Sequence, residues 1–196
     1  MSKAERTKQF IIEKTAPVFN AKGFAGTSLN DMINATRLTK GSIYGNFENK
    51  DAVALAAFDY NFGCITQYIK SKMAEQNSCV KKLLVYPEIY RNYFSIPFLS
   101  AGCPILNTAI EADDTHPLLR AKVNNAITFW KNSVERLISK GIELGEIKAE
   151  TAIKEFIVIL VSLIECAVMQ AKVSGKSDAL LITMKHLERQ ILQLKV

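Results

Sequence analysis

Between Thr27 and Lys50 the chain gathers Thr27, Ser28, Arg37, Thr39, Lys40, Ser42, Tyr44, Asn46 and Lys50, with Gly41 and Gly45 set among them. No nucleophile stands at catalytic spacing from a base here, so the chemistry these residues offer is non-covalent. The Ser42 hydroxyl can bond to several bases at their groove edges, and the Asn46 amide suits adenine, which it can meet with two hydrogen bonds. The Lys40 and Lys50 ammonium groups and the Tyr44 and Thr27 hydroxyls are the donors that hold phosphates without reading sequence. For the lysines, the competing reading is an ordinary solvated surface charge.

Catalytic readings do poorly elsewhere. Cys64, Cys79, Cys103 and Cys166 are scattered with no C-x-x-C pair, and so read as reduced, mostly buried thiols of a cytoplasmic protein. Asp113, Asp114 and His116 superficially suggest a metal or acid–base cluster, but they stand just before Pro117, where a helix-capping corner is expected. His116 and His186 are the only histidines. Neither a metal site, a cofactor nor a Ser-His-Asp triad is expected, and the chain does not read as an enzyme.

The elements that must position the first cluster are legible from caps and spacing. Thr27 or Ser28 can cap a helix, with Asp31 complementing its dipole, and Leu29, Met32, Ile33 and Thr36 recur at helical spacing. Thr39 opens a second helix from Lys40 to Phe47, which leaves Arg37 and Leu38 as the turn. So short a connection forces a steep crossing, the geometry in which a second helix enters the major groove. Ile43 and Phe47, four apart, share the packed side. Gly41 and Gly45 share the opposite one, where two glycines at about 1 kcal/mol each suggest that something approaches the backbone closely; a short helix held by packing would also tolerate them.

The stretch FAGTSLNDMINATRLTKGSIYGNFENKDAV resembles the DNA-binding region of the tetracycline-repressor (TetR) family of bacterial regulators. Thr39, Lys40, Gly41, Ser42, Ile43, Tyr44, Phe47 and Lys50 match the core of the family pattern S/T-K-G-[ST]-[LI]-Y-x-x-F-x-x-K. Two departures stand out. Arg37 occupies a turn position where the family usually has glycine, whose freedom suits a left-handed backbone, and it can reach a phosphate or point into water. Gly45 replaces a bulkier or polar residue. The resemblance implies an all-α fold with a three-helix helix-turn-helix domain over residues 1–50 and a larger effector-binding and dimerisation domain over residues 51–196. It also implies release from DNA by an unidentified small molecule that shifts the spacing of two recognition helices.

Ahead of the motif, Lys3 to Lys22 reads as an amphipathic helix with Ile12, Ala16 and Phe19 on one face, bent near Pro17 and ended by Gly23. Residues 1–50 hold eight Lys or Arg and four Asp or Glu, so +4 of the formal +6 lies there, as attraction to a polyanion requires. A basic balance also suits a membrane surface, but no secretory leader or long uninterrupted apolar span is read, and no membrane partner is expected.

Beyond residue 50 the pattern stays helical. Asn49 caps a helix to about Ala74; others run from Cys79, from Pro104 to Ala112, from Pro117 to about Leu144, from Thr151 to Lys172 and from Asp178 to Leu194. The apolar run Phe156 to Ile164 reads as too short to span a bilayer and is broken by Ser162 and Glu165. A helix so apolar all round needs cover on several sides, most simply from a partner subunit. Leu181, Met184, Leu187, Ile191 and Leu194 supply a second interface candidate. Two such helices from each chain would make a four-helix bundle, as the family resemblance implies, and a homodimer reads the halves of a pseudo-palindromic operator in double-stranded DNA.

Phe62, Tyr86, Tyr90, Tyr93, Phe94 and Trp130 are enough aromatic surface to line an apolar effector cavity; aromatics at helical spacing equally suit plain core. Asn107 and Glu111, four apart, are its polar candidates, against a surface or capping role. The alternative class is a ligand-binding sensory protein whose N-terminal unit makes protein contacts instead of binding DNA.

Overall fold

The computed structural model describes residues 2–196. Its elements are α1 (Lys3–Gly26), α2 (Leu29–Thr36), α3 (Lys40–Tyr44), α4 (Lys50–Ala74), α5 (Cys79–Arg91), α6 (Pro104–Ala112), α7 (Pro117–Glu143), α8 (Ile153–Ser174) and α9 (Asp178–Gln193), with 3-10 turns at Tyr93–Ser95 and Pro97–Leu99. Among the described residues the only β feature is an isolated bridge between Ile147 and Lys195. The chain divides into two compact units. The first takes the residues up to Ile65 together with Ala101–Asn125, and the second takes Thr66–Ser100 with Ala126–Val196, so the division falls within α4 and α7.

In the first unit, Ile11, Ala16 and Phe19 of α1 pack with Met32, Ile43, Phe47, Val53, Ala54 and Ala57 into one core. Ile11 is fully buried and Ile12 only partly so, a turn of the helix by one residue from the face read in sequence. Ser2 and Glu5 form a capping box that starts α1. Pro17 stays inside the helix, and near it the Ala16 carbonyl accepts a hydrogen bond from the Asn61 amide of α4 at 2.8 Å. Gly23 breaks the helix as expected, at φ 74 and ψ 179, but helical structure resumes through Gly26. At the start of α7, the Nδ1 of His116 accepts the Leu119 N–H at 3.2 Å. The corner at 113–116 is thus a cap, made by the imidazole.

In the second unit, α9 packs on α5 and on α8. Ile157, Leu160, Val161, Ile164, Ala167, Val168 and Ala171 form the buried face of α8. The run Phe156 to Ile164 sits within the longer α8, which by length and composition alone is apolar enough to cross a membrane, a property that the core helix of a globular unit shares. Val158, Ile159, Met169 and Val173 remain exposed on it. On α9 the buried residues are Leu180, Met184, Leu187 and Ile191, while Leu181, Ile182 and Leu192 are exposed. Most of the stripe assigned in sequence to a partner is therefore core of its own unit, and the free face lies to one side of it.

Candidate nucleic-acid interface

Ser28, not Thr27, caps α2. Its hydroxyl accepts the Asp31 N–H at 3.1 Å while its own N–H donates to Asp31 Oδ2 at 2.9 Å. The Lys22 ammonium reaches Asp31 Oδ1 at 2.6 Å, and this contact, with the Ser28 N–H and hydroxyl, holds the Asp31 carboxyl well below the usual carboxylate range. Thr27 is fully buried and its hydroxyl donates to the Gly23 carbonyl at 2.6 Å, which corrects its assignment as a phosphate donor. A threonine at the junction of two helices satisfies the backbone beside it before it can reach outward.

The turn has the two expected residues. Arg37 adopts φ 58 and ψ 20, the one non-glycine residue with positive φ among those described. Its N–H is satisfied by Ile33 O at 2.7 Å, and its side chain is exposed with no carboxylate partner among the described residues. Thr39 then caps α3 by accepting the Ser42 N–H at 3.2 Å.

Helix α3 is shorter than the sequence suggests, closing at Tyr44 and turning through Gly45 and Asn46. One helical bond persists beyond it, from Phe47 N–H to Ile43 O. Ile43 and Phe47 face the core, whereas Lys40, Gly41 and Gly45 are exposed and Ser42 is half-buried. A Cβ at Gly41 would meet only the Thr39 hydroxyl, at 3.9 Å. At Gly45 it would stand 3.0 Å from the Gly41 carbonyl oxygen, so local crowding gives a second reason for that glycine.

Three other expected site residues have internal partners. The Asn46 amide donates to Ser42 O at 2.8 Å, leaving its oxygen and second N–H for any base. Tyr44 is half-buried against the core. Lys50 places its ammonium over the Phe24 ring, 4.4 Å from the centroid.

The expected effector residues separate. Tyr86, Tyr90, Tyr93, Phe94 and Trp130 come together in the second unit: Trp130 stacks on Tyr90 at 6.0 Å, Tyr90 on Tyr93 at 5.6 Å, and Tyr93 meets Phe94 edge-on at 5.7 Å. Burial pushes the Tyr86 phenol well above its ordinary range. Phe62 stands apart, stacked on Phe58 in the first unit. Asn107 and Glu111 are corrections as well. Both lie in the first unit and bind α1: Asn107 donates to Asn20 O at 2.9 Å, and Glu111 accepts the Phe24 and Ala25 N–H groups at 2.6 Å each. No sequence signal marks Asn20 or the Phe24 and Ala25 N–H groups as their partners.

Fold and site together define a helix-turn-helix protein with a second helical unit. Residues 11–57 match the bacterial regulatory proteins of the tetR family, and residues 79–187 match the tetracyclin repressor-like C-terminal domain. A TetR-family transcriptional regulator from Cytophaga hutchinsonii is 44% identical, with a TM-score of 0.92 over 100% of this chain and 98% of that one. The HTH-type transcriptional repressor DhaR of Mycobacterium sp. (strain GP1) is 25% identical over 178 residues, 88% of this chain and 86% of DhaR. A cysteine-substituted form of the TetR-family regulator CifR, solved with 26-bp double-strand operator DNA, shares the fold at 17% identity, with a TM-score of 0.80 over 92% of this chain and 94% of CifR. The chain belongs to the tetR family of DNA-binding transcriptional regulators.

Proposed function

We propose that this protein is a homodimeric transcriptional repressor, acting in the cytoplasm and without catalytic activity, that binds a pseudo-palindromic operator through α3 and is released by a small molecule. The observation that carries the reading is the bare outer side of α3, where Gly41 and Gly45 are exposed beside Lys40 and half-buried Ser42 behind a two-residue turn. Arg37, Thr39, Lys40, Tyr44 and Lys50 hold phosphates, while Ser42 and Asn46 read base edges across the glycine-smoothed backbone; Ser28 has given both its N–H and its hydroxyl to Asp31. Residues 1–50 are the DNA-reading part and residues 51–196 carry effector binding and dimerisation, the latter through the exposed apolar residues of α8 and α9. The effector enters the aromatic cluster around Trp130, and it releases DNA only by favouring one conformation over the other.

The test is titration of the purified protein onto duplex DNA selected by it from a random-sequence pool, followed by fluorescence anisotropy at several salt concentrations. Binding should weaken steeply with salt. Lys40→Ala and Tyr44→Phe should weaken it while leaving thermal unfolding near that of the parent. Two variants that bind like the parent would refute the groove assignment.

A further inference from the structure

We infer that Glu111, with Asn107 one turn before it on α6, is a positioning residue for DNA binding: the pair holds the broken end of α1 and thereby sets the direction from which α2 and α3 follow. This rests on the reading of α3 as the DNA-facing helix. In an unbroken helix the Phe24 N–H would bond to the Asn20 carbonyl. The break at Gly23 separates the two, and α6 satisfies both halves. Asn107 Nδ2 donates to Asn20 O at 2.9 Å and to Asn20 Oδ1 at 3.0 Å, while Glu111 Oε2 accepts Phe24 N–H and its Oε1 accepts Ala25 N–H. Two side chains four apart on one helix thus satisfy the Asn20 carbonyl and the N–H groups of Phe24 and Ala25, across 86 or 87 residues of sequence.

The surroundings tighten the same point. Thr27 closes on the Gly23 carbonyl, and the Phe24 ring lies edge-on to His116 at 4.6 Å with the Lys50 ammonium over it. Gly23 is the residue the arrangement needs: its positive φ suits glycine, and a Cβ there would collide with the Glu111 carboxylate. Only Gly26, Thr27 and Ser28 separate the held segment from α2, which packs on α1, and the two-residue turn at Arg37 and Leu38, closed by the Thr39 cap, leads from α2 to α3. A charge-assisted grip at residues 24 and 25 therefore orients the recognition helix without touching DNA.

The experiment compares parent, Glu111→Gln, Gly23→Ala and Lys40→Ala for binding to the selected duplex, with thermal unfolding and amide hydrogen exchange on the same samples. Glu111→Gln should bind on the order of tenfold more weakly, with an unchanged dependence of affinity on salt because no phosphate contact is lost. Exchange at Phe24 and Ala25 should quicken. Gly23→Ala should show the same defect, and the double variant should be no worse than either single one. If Glu111→Gln does not fold, Asn107→Ala reads the other half of the clamp. Parent-like affinity with faster exchange would overturn the inference, leaving Glu111 a stabilising group only. If Lys40→Ala weakens binding while both clamp variants do not, this inference alone fails; if the parent binds no duplex, the DNA reading fails and takes this one with it.

Discussion

Arg37→Gly acts on a backbone and a side chain that pull in opposite directions. At φ 58 an arginine is in the left-handed region, where an L residue loses roughly 1–2 kcal/mol. Glycine removes that strain but gives the unfolded chain more freedom, a cost of about 0.5–1 kcal/mol. The net gain is about 0–1.5 kcal/mol, which in a chain of this length raises Tm by up to about 6 °C. The side chain is exposed beside the cap of α3, and on the proposed DNA reading it meets a phosphate. One charge-assisted contact worth roughly 1.5 kcal/mol corresponds to about tenfold in affinity. Its loss should also reduce the slope of log affinity against log salt by about 0.9 for each bound subunit. Calorimetry and salt-dependent anisotropy on parent and variant measure both effects. A variant that is more stable yet binds with the parent's affinity and slope would show that Arg37 touches no phosphate, and a less stable variant would refute the strain itself.

Ile43→Ala removes a fully buried side chain from the first core, so it should destabilise that unit by about 2–5 kcal/mol and abolish operator binding, as chemical denaturation and anisotropy would report. Asp31 has its pKa lowered by Lys22 and Ser28, so its contribution to stability is present above its unfolded value of 3.8 and is lost as pH falls through the folded one. Urea midpoints of parent and Asp31→Asn should accordingly differ at pH 7 and converge as pH drops below about 4. His116→Leu removes the imidazole cap of α7 and should cost about 0.5–2 kcal/mol in thermal unfolding. Ile182→Glu, on the exposed face of α9, should leave the helices intact by circular dichroism yet give monomers by light scattering, with weaker operator binding.

How much of this was legible in sequence follows the range of the forces involved. The cap at Thr39, the two-residue turn and the pairing of Ile43 with Phe47 are set by neighbours within one or two helical turns, and all three stand in the structure. The face of α9 was read one position off at its start: Leu180 and Leu181 fit the same three- and four-residue spacing, and only packing against α5 and α8 decides between them. Thr27 was misread because a hydroxyl's partner at a helix junction depends on where the chain turns next. Asn107 and Glu111 read in sequence as polar lining of an effector cavity, whereas their partners lie more than 80 residues away on backbone atoms that carry no sequence signature. The aromatic set was readable as a set, except for Phe62, whose stacking on Phe58 follows from its place on α4.

Because the first unit closes with Ala101–Asn125, its birth on the ribosome is delayed. The leading residues can coil early, yet the bond-halves parted at Gly23 stay bare until α6 has been synthesised and has left the exit tunnel. Contacts this remote slow the search for the native arrangement, and they tie maturation of the operator reader to translation of the middle of the message. A transplanted leading segment, spliced onto a foreign regulator without its α6, would therefore arrive with the break at Gly23 unsatisfied.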